Sequence, residues 1–181
     1  MGRNNYEMNA LIDANLFYLA QAEQLLAQLD DTQYTCPAPS FYHSTIGGHL
    51  RHCLDHYDSF LNGLSAAKID YDQRMRLPQL ETETACSAAK TQEIRERLSA
   101  AIQDSPPIGL LVKMDCGNNE DEVNETEWQP STLGRELQFL VSHTVHHFAM
   151  IGGICRSLDI ETASDFGVAP STLRHRATTS A

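Results

Sequence analysis

No stretch of this 181-residue chain approaches the ~18 continuous apolar residues that a membrane span requires. The opening residues, Met1-Gly2-Arg3-Asn4-Asn5, are not followed by an apolar segment resembling a signal peptide. Basic residues are scarce and scattered: 13 Lys and Arg stand against 24 Asp and Glu, for a net charge of -11. Nucleic acids and anionic membrane surfaces are bound through clustered Lys and Arg, so neither is expected as a partner. Cys-x-x-Cys is also missing. The five cysteines (Cys36, Cys53, Cys86, Cys116 and Cys155) are odd in number and dispersed. Such a set does not build a disulfide framework, and a cytoplasmic location is expected. Cys53 and Cys155 fall near histidines, which makes them the two thiols to watch as metal ligands.

Histidine, by contrast, is concentrated. Six of eight lie in two short clusters, Gly47-Gly48-His49-Leu50-Arg51-His52-Cys53-Leu54-Asp55-His56 and Val141-Ser142-His143-Thr144-Val145-His146-His147-Phe148. Spacings of three and four residues place side chains on one face of a helix. Two helices that turn such faces to a common pocket can hold a divalent metal, and neutral imidazole suits zinc, nickel, copper and iron. Burying several imidazoles without partners is costly, so the clusters are solvated, mutually paired or metallated. His43 and His175 read as surface or loop residues.

The length fits one domain with a real core. Apolar residues recur at helical spacing over about 9–29 (Ile12, Leu16, Leu19, Leu26, Leu29). Asp30-Asp31 and Pro37-Ala38-Pro39 then make a loop. A second helix is expected from Ser44, as N-cap, to about Leu64, with Leu50, Cys53, Tyr57, Phe60 and Leu64 as its apolar stripe. Tyr71 to Leu80 reads as a connector. A third helix spans about 82–102 with Ile94, Leu98 and Ile102 inward, and Pro106-Pro107 stops it. Gly109 to Met114 is short, apolar and β-prone, and an acidic, Asn-rich piece follows to Glu127 without EF-hand order. This reads as a small hairpin or flap. A fourth helix starts after Pro130, with Ser131 as N-cap, and extends to Leu158. The expected architecture is therefore an all-α four-helix bundle, up-down-down-up where connectors are long, with a small β flap before the last helix. Residues 1–158 make the bundle. Residues 159–181 make a tail that packs back on it and is partly disordered, chiefly over Ala177–Ala181.

A helix turns about 100° per residue. On the fourth helix, His147 lies within the apolar arc, about 40° from His143, while His146 points about 60° the other way. Pattern alone favours His143 and His147 as an inward pair, with His146 exposed or supporting. On the second helix, His49, His52 and His56 share a stripe that flanks the apolar face. His49 and His56 lie nearer that face than His52, and periodicity does not select one ligand.

Ser44-Thr45-Ile46-Gly47-Gly48-His49-Leu50-Arg51-His52, followed by the distant His143-x-x-x-His147, resembles the DinB/YfiT-like superfamily of four-helix bundles. The resemblance runs from about residue 5 to Leu158. Members hold a divalent metal with one histidine from the second helix and a His-x-x-x-His pair from the fourth. The last histidine of Ser-x-x-x-x-x-Leu-x-His is the ligand in related domains, including the N-terminal domain of ergothioneine-pathway sulfoxide synthases. The resemblance thus implies His52, His143 and His147 as metal ligands, with His49 and His56 as alternates or supporting groups. Zinc or nickel is the implied metal, with iron also admissible. It further implies a thiol S-transferase that uses a low-molecular-weight thiol against a small-molecule electrophile, with His56 or His49 as proton shuttle. A non-catalytic, stress-related metal- or small-ligand-binding bundle is the alternative. Asp55 and Glu136 are candidate acceptors for ligand imidazoles, and Arg51 and Arg135 candidate cations for a cofactor. A homodimer, common in similar proteins, is compatible with apolar positions on the first and fourth helices.

Overall fold

The structure, a computed structural model, describes residues 2–101, 109–115 and 127–179. Four long helices carry the fold: α1 (Gly2–Leu26), α3 (Ile46–Gly63), α5 (Thr84–Ala101) and α6 (Leu133–Ser157). Short helices α2 (Asp31–Thr35) and α4 (Gln79–Thr82), a C-terminal α7 (Pro170–Thr179) and strands β1 (Lys68–Asp70), β2 (Gly109–Lys113) and β3 (Gln129–Thr132) complete it. α2 lies where the Asp30-Asp31 sequence suggests only a loop. Asp30 caps it, accepting from the Gln33 backbone while the Gln33 side chain reaches back to Asp30. Two other caps sit one residue beyond the expected position. Thr45 rather than Ser44 caps α3, accepting from Gly48 N, and Thr132 rather than Ser131 caps α6. Each displaced serine has another job: Ser44 Oγ donates to Phe41 O, and Ser131 bonds Glu136.

Cross-helix contacts set the directions. α3 and α6 are antiparallel, because His49 meets His147 while His52 meets His143. α1 and α6 run parallel, Leu11 facing Gly134 and Tyr18 facing Phe148. α5 follows α3 in the same direction, Lys90 pairing with Asp58 and Arg97 with Asn62. The order is therefore up-down-down-up. Parallel neighbours such as α3 and α5 need a long return connection, and residues 64–83 provide it. β1 lies in that return, and β2 follows α5 from the same end of the bundle, so the two pair in parallel: Ile69 opposite Val112. β3 adds antiparallel to β2, Leu110 opposite Ser131. The expected hairpin is thus two strands of a three-stranded sheet, and the connector after α3 supplies the third. The acidic tip, 116–126, and Ile102 lie outside the described residues.

The core follows the helical periodicity. Leu50, Leu54, Tyr57 and Phe60 of α3 pack with Leu140, Phe148, Ile151 and Ile154 of α6, with Tyr18 and Leu19 of α1, and with Ile94 and Leu98 of α5. A polar clasp crosses it. Tyr57 OH donates to Asn15 Oδ1 at 2.8 Å, Asn15 Nδ2 donates to Leu11 O and Leu137 O, and Thr144 Oγ1 donates to Tyr57 OH. Every member is satisfied, as buried polar groups must be. α3 approaches α4 so closely at Gly47 that a Cβ there would collide with the Glu81 carbonyl and the Tyr34 ring. After α6 the chain folds back over the bundle. Phe166 stacks on Phe148 at 5.0 Å, Gly167 (φ +66°) donates from its N–H to Gln21 Oε1, and Tyr18 OH donates to Val168 O. Ala177 to Thr179, which sequence composition suggests as disordered, belong to α7, and residues 180–181 are outside the described set.

Candidate metal centre

The α3–α6 pairing brings five imidazoles into one cleft. His49, His52 and His56 recur at three and four residues along α3, and His143 and His147 are one turn apart on α6. His52 Nε2 lies 3.1 Å from His143 Nε2. Two imidazole nitrogens bound to one metal at about 2.0–2.1 Å stand about 3 Å apart, so this pair already has the spacing of shared ligands. One ring nitrogen from each of His52, His56 and His143 falls within 4.8 Å of the others. These three could hold a metal ion. The His147 ring centroid is 4.6 Å from both His52 and His143, on the side occupied by His49. His56 closes the other side, 4.1 Å from His143 by ring centroid. Tyr71 stacks on His56 and Phe139 packs against His143, walling the sheet end of the cleft.

The hydrogen bonds fix which nitrogen of each neutral ring carries its proton. The His52 carbonyl can only accept, so His56 donates from Nδ1 at 2.8 Å and keeps Nε2 bare. Arg74 can only donate, so its Nη1 bonds a bare His52 Nδ1 at 3.1 Å, and His52 Nε2–H points to a bare His143 Nε2. Ser44 Oγ spends its proton on Phe41 O at 2.5 Å and accepts from His49 Nε2–H at 3.2 Å. His49 Nδ1 is then bare, His147 Nδ1–H donates to it at 2.9 Å, and His147 Nε2 is bare as well. Holding one ring N–H on an acceptor, so that the other nitrogen is free, is the usual arrangement around metal-binding histidines. Two rings depart from it: His52 has Arg74 on its bare Nδ1, and His143 Nδ1 is buried with no hydrogen-bond partner among the described residues.

Electrostatics agree with neutral rings. Burial, reinforced by neighbouring imidazoles, pushes His52 down to about 3, His143 to about 2 and His147 to about 4. Arg74 and Arg51 add to the effect at His52. Burial also lowers His49 and His56. All five are therefore uncharged near pH 7, the form that binds metal. Four of the five are only half-buried, so the cleft remains open to solvent.

A family model described as the DinB superfamily matches residues 19–151. The chain belongs to the DinB superfamily. It is also similar to "FK506-binding protein 5" of Rhizopus delemar, 33% identical over 108 residues. That match covers 59% of this chain and 27% of the fungal protein, so the chain corresponds to about a quarter of that relative. No solved structure matches.

Within this DinB-superfamily bundle, the residues singled out from sequence separate clearly. His49, His52, His56, His143 and His147 converge, while His146, His43 and His175 are exposed. Cys53 and Cys155 lie in the core, 1% and 0% exposed, and neither joins a grouping of potential ligands among the described residues. Burial pushes both thiols up, Cys155 to about 11, so they stay protonated. Asp55 and Glu136 do not orient imidazoles. Asp55 accepts from Arg51 at 2.7 Å, and Glu136 is held by Tyr71 OH at 2.7 Å, Ser131 and Arg135. Arg51 also pairs with Glu81, which leaves it committed on both sides. The cation that does reach the imidazoles is Arg74. It lies in the loop after β1, where no periodicity points to it. Among the described residues, no helix is long and apolar enough to cross a membrane.

Proposed function

We propose that this DinB-superfamily chain is a metal-dependent thiol S-transferase acting on small electrophiles. The observation that carries the reading is the half-open cluster of neutral imidazoles, in which His52 Nε2 lies 3.1 Å from His143 Nε2 and the His147 ring 4.6 Å from both rings. In this reading His52, His143 and His147 would hold one divalent metal, zinc or nickel. A metal bound there lowers the pKa of a thiol, so that thiolate is available near neutral pH. His56 receives the thiol proton at Nε2, its ring held by the bond from Nδ1 to the His52 carbonyl. A carbon–sulfur bond then forms at the electrophile, and His56 returns the proton to the departing group. Tyr71 and Phe139 keep water from the sheet end of the cleft.

One observation favours a second reading. His56 stands with His52 and His143 within 4.8 Å, so it could complete a closed four-histidine site that binds metal without catalysis. Elemental analysis of untagged protein tests both. The wild type should carry about one equivalent of metal, lost in His143→Ala and kept in His146→Ala; the opposite pattern would sink the ligand assignment. His56→Ala should keep the metal but lose transfer of a small thiol to an alkyl halide. Loss of the metal instead would establish the closed site.

A further inference from the structure

Arg74 lies beside the imidazole cluster, its Nη1 3.1 Å from His52 Nδ1. Arg51, Arg95, Arg97 and Arg135 each pair with a carboxylate. Arg74 has no carboxylate within ion-pair distance among the described residues, in a chain of net charge -11. Its Nη1 donates instead to the uncharged ring of His52, and its Nε is buried with no partner. The acids nearby are engaged elsewhere. Asp55 feels the Arg74 charge but is hydrogen-bonded by Arg51, Asp70 accepts from the Asp72 and Gln73 N–H groups, and Asp72 accepts from Asp115 N. A partly buried guanidinium that meets no anion is matched to a carboxylate, which a guanidinium binds through two parallel bonds.

The contact with His52 also conflicts with metal binding. Arg74 occupies the Nδ1 lone pair, which requires the ring proton on Nε2. A metal bound at Nε2 requires that proton on Nδ1, where a guanidinium finds no acceptor. With the ring proton on Nδ1, Arg74 would lose its His52 acceptor while standing one imidazole away from the cluster. We propose that Arg74 anchors the carboxylate of an anionic thiol whose sulfur reaches the histidine cluster. This rests on the thiol-transferase reading and names its substrate class: short mercaptocarboxylates rather than neutral thiols.

The test uses cobalt-loaded protein, in which thiol binding gives a sulfur-to-cobalt absorption band. Titrations compare 3-mercaptopropionate with its uncharged methyl ester. The acid should bind about 10- to 100-fold more tightly than the ester, the range expected for a charge-assisted contact. Arg74→Gln should abolish the difference by weakening the acid alone, and Arg74→Lys should restore part of it. Equal binding of acid and ester to the wild type overturns the Arg74 assignment and leaves the thiol reading standing; that comparison needs no variant to fold. Equal weakening of both thiols by Arg74→Gln also overturns it. A cobalt-loaded protein that gives no band with either thiol overturns the thiol reading itself.

Discussion

Removing His49 distinguishes a residue that orients His147, one of the proposed metal ligands, from a residue that binds the metal itself. His49 receives Nδ1–H of His147 at 2.9 Å and passes its own Nε2–H to Ser44 at 3.2 Å. The chain ends on a backbone carbonyl, so the direction of all three bonds is set. In His49→Ala the His147 ring loses its only acceptor among the described residues and is free to turn. Losing such a supporting bond weakens metal binding about 10- to 100-fold, or about 1.4–2.7 kcal/mol. Ser44→Ala removes one link further out and should cost less, while Ser44→Thr, which keeps the hydroxyl, should bind nearly as the wild type does. Zinc affinities measured by competition with a chromophoric chelator, at fixed pH, give the ordering. An unchanged affinity in His49→Ala would refute the relay. A loss far beyond 100-fold would show that His49 is itself a ligand.

The acid response of the metal-free protein follows from the lowered imidazoles. An unfolded chain takes up protons at histidine near pH 6.5, whereas folded His147, His52 and His143 resist protonation down to about 4, 3 and 2. The stability these neutral rings permit is therefore fully present above pH 6.5 and is lost progressively as pH falls towards 4 and below. Denaturant midpoints of metal-free protein that stay flat from pH 7 to 4 would contradict the burial of these rings. Gly47→Ala places a methyl group against the Glu81 carbonyl and the Tyr34 ring. It should cost about 1–3 kcal/mol and lower the melting temperature by about 2–12 °C, and an unchanged melting temperature would show that α4 can withdraw freely.

Local sequence is enough to specify the four helices, their apolar faces and the membership of both histidine clusters. These are local properties: a period of 3.6 residues, caps and breakers act within one or two turns, and they place His49, His52 and His56 on one stripe whatever that stripe later meets. The helical period on α6 likewise separates inward His143 and His147 from exposed His146. Tertiary structure alone decided what the stripes face. The antiparallel register sets His52 against His143 and His49 against His147, and a shift of one turn along either helix would pair other rings. The long return between parallel α3 and α5 carries β1, and β1 delivers Tyr71 and Arg74 to the cleft from a segment with no periodic signal. Hydrogen bonds across 91 and 98 residues set the ring protons. The roles of Asp55, Glu136, Arg51 and Arg135 were settled in the same way. Each had the right charge in the right neighbourhood of the sequence, but a nearer partner of opposite charge or an available hydroxyl claims it. Periodicity specifies the face a side chain occupies, and its partner is chosen by the packing of elements far apart in the chain.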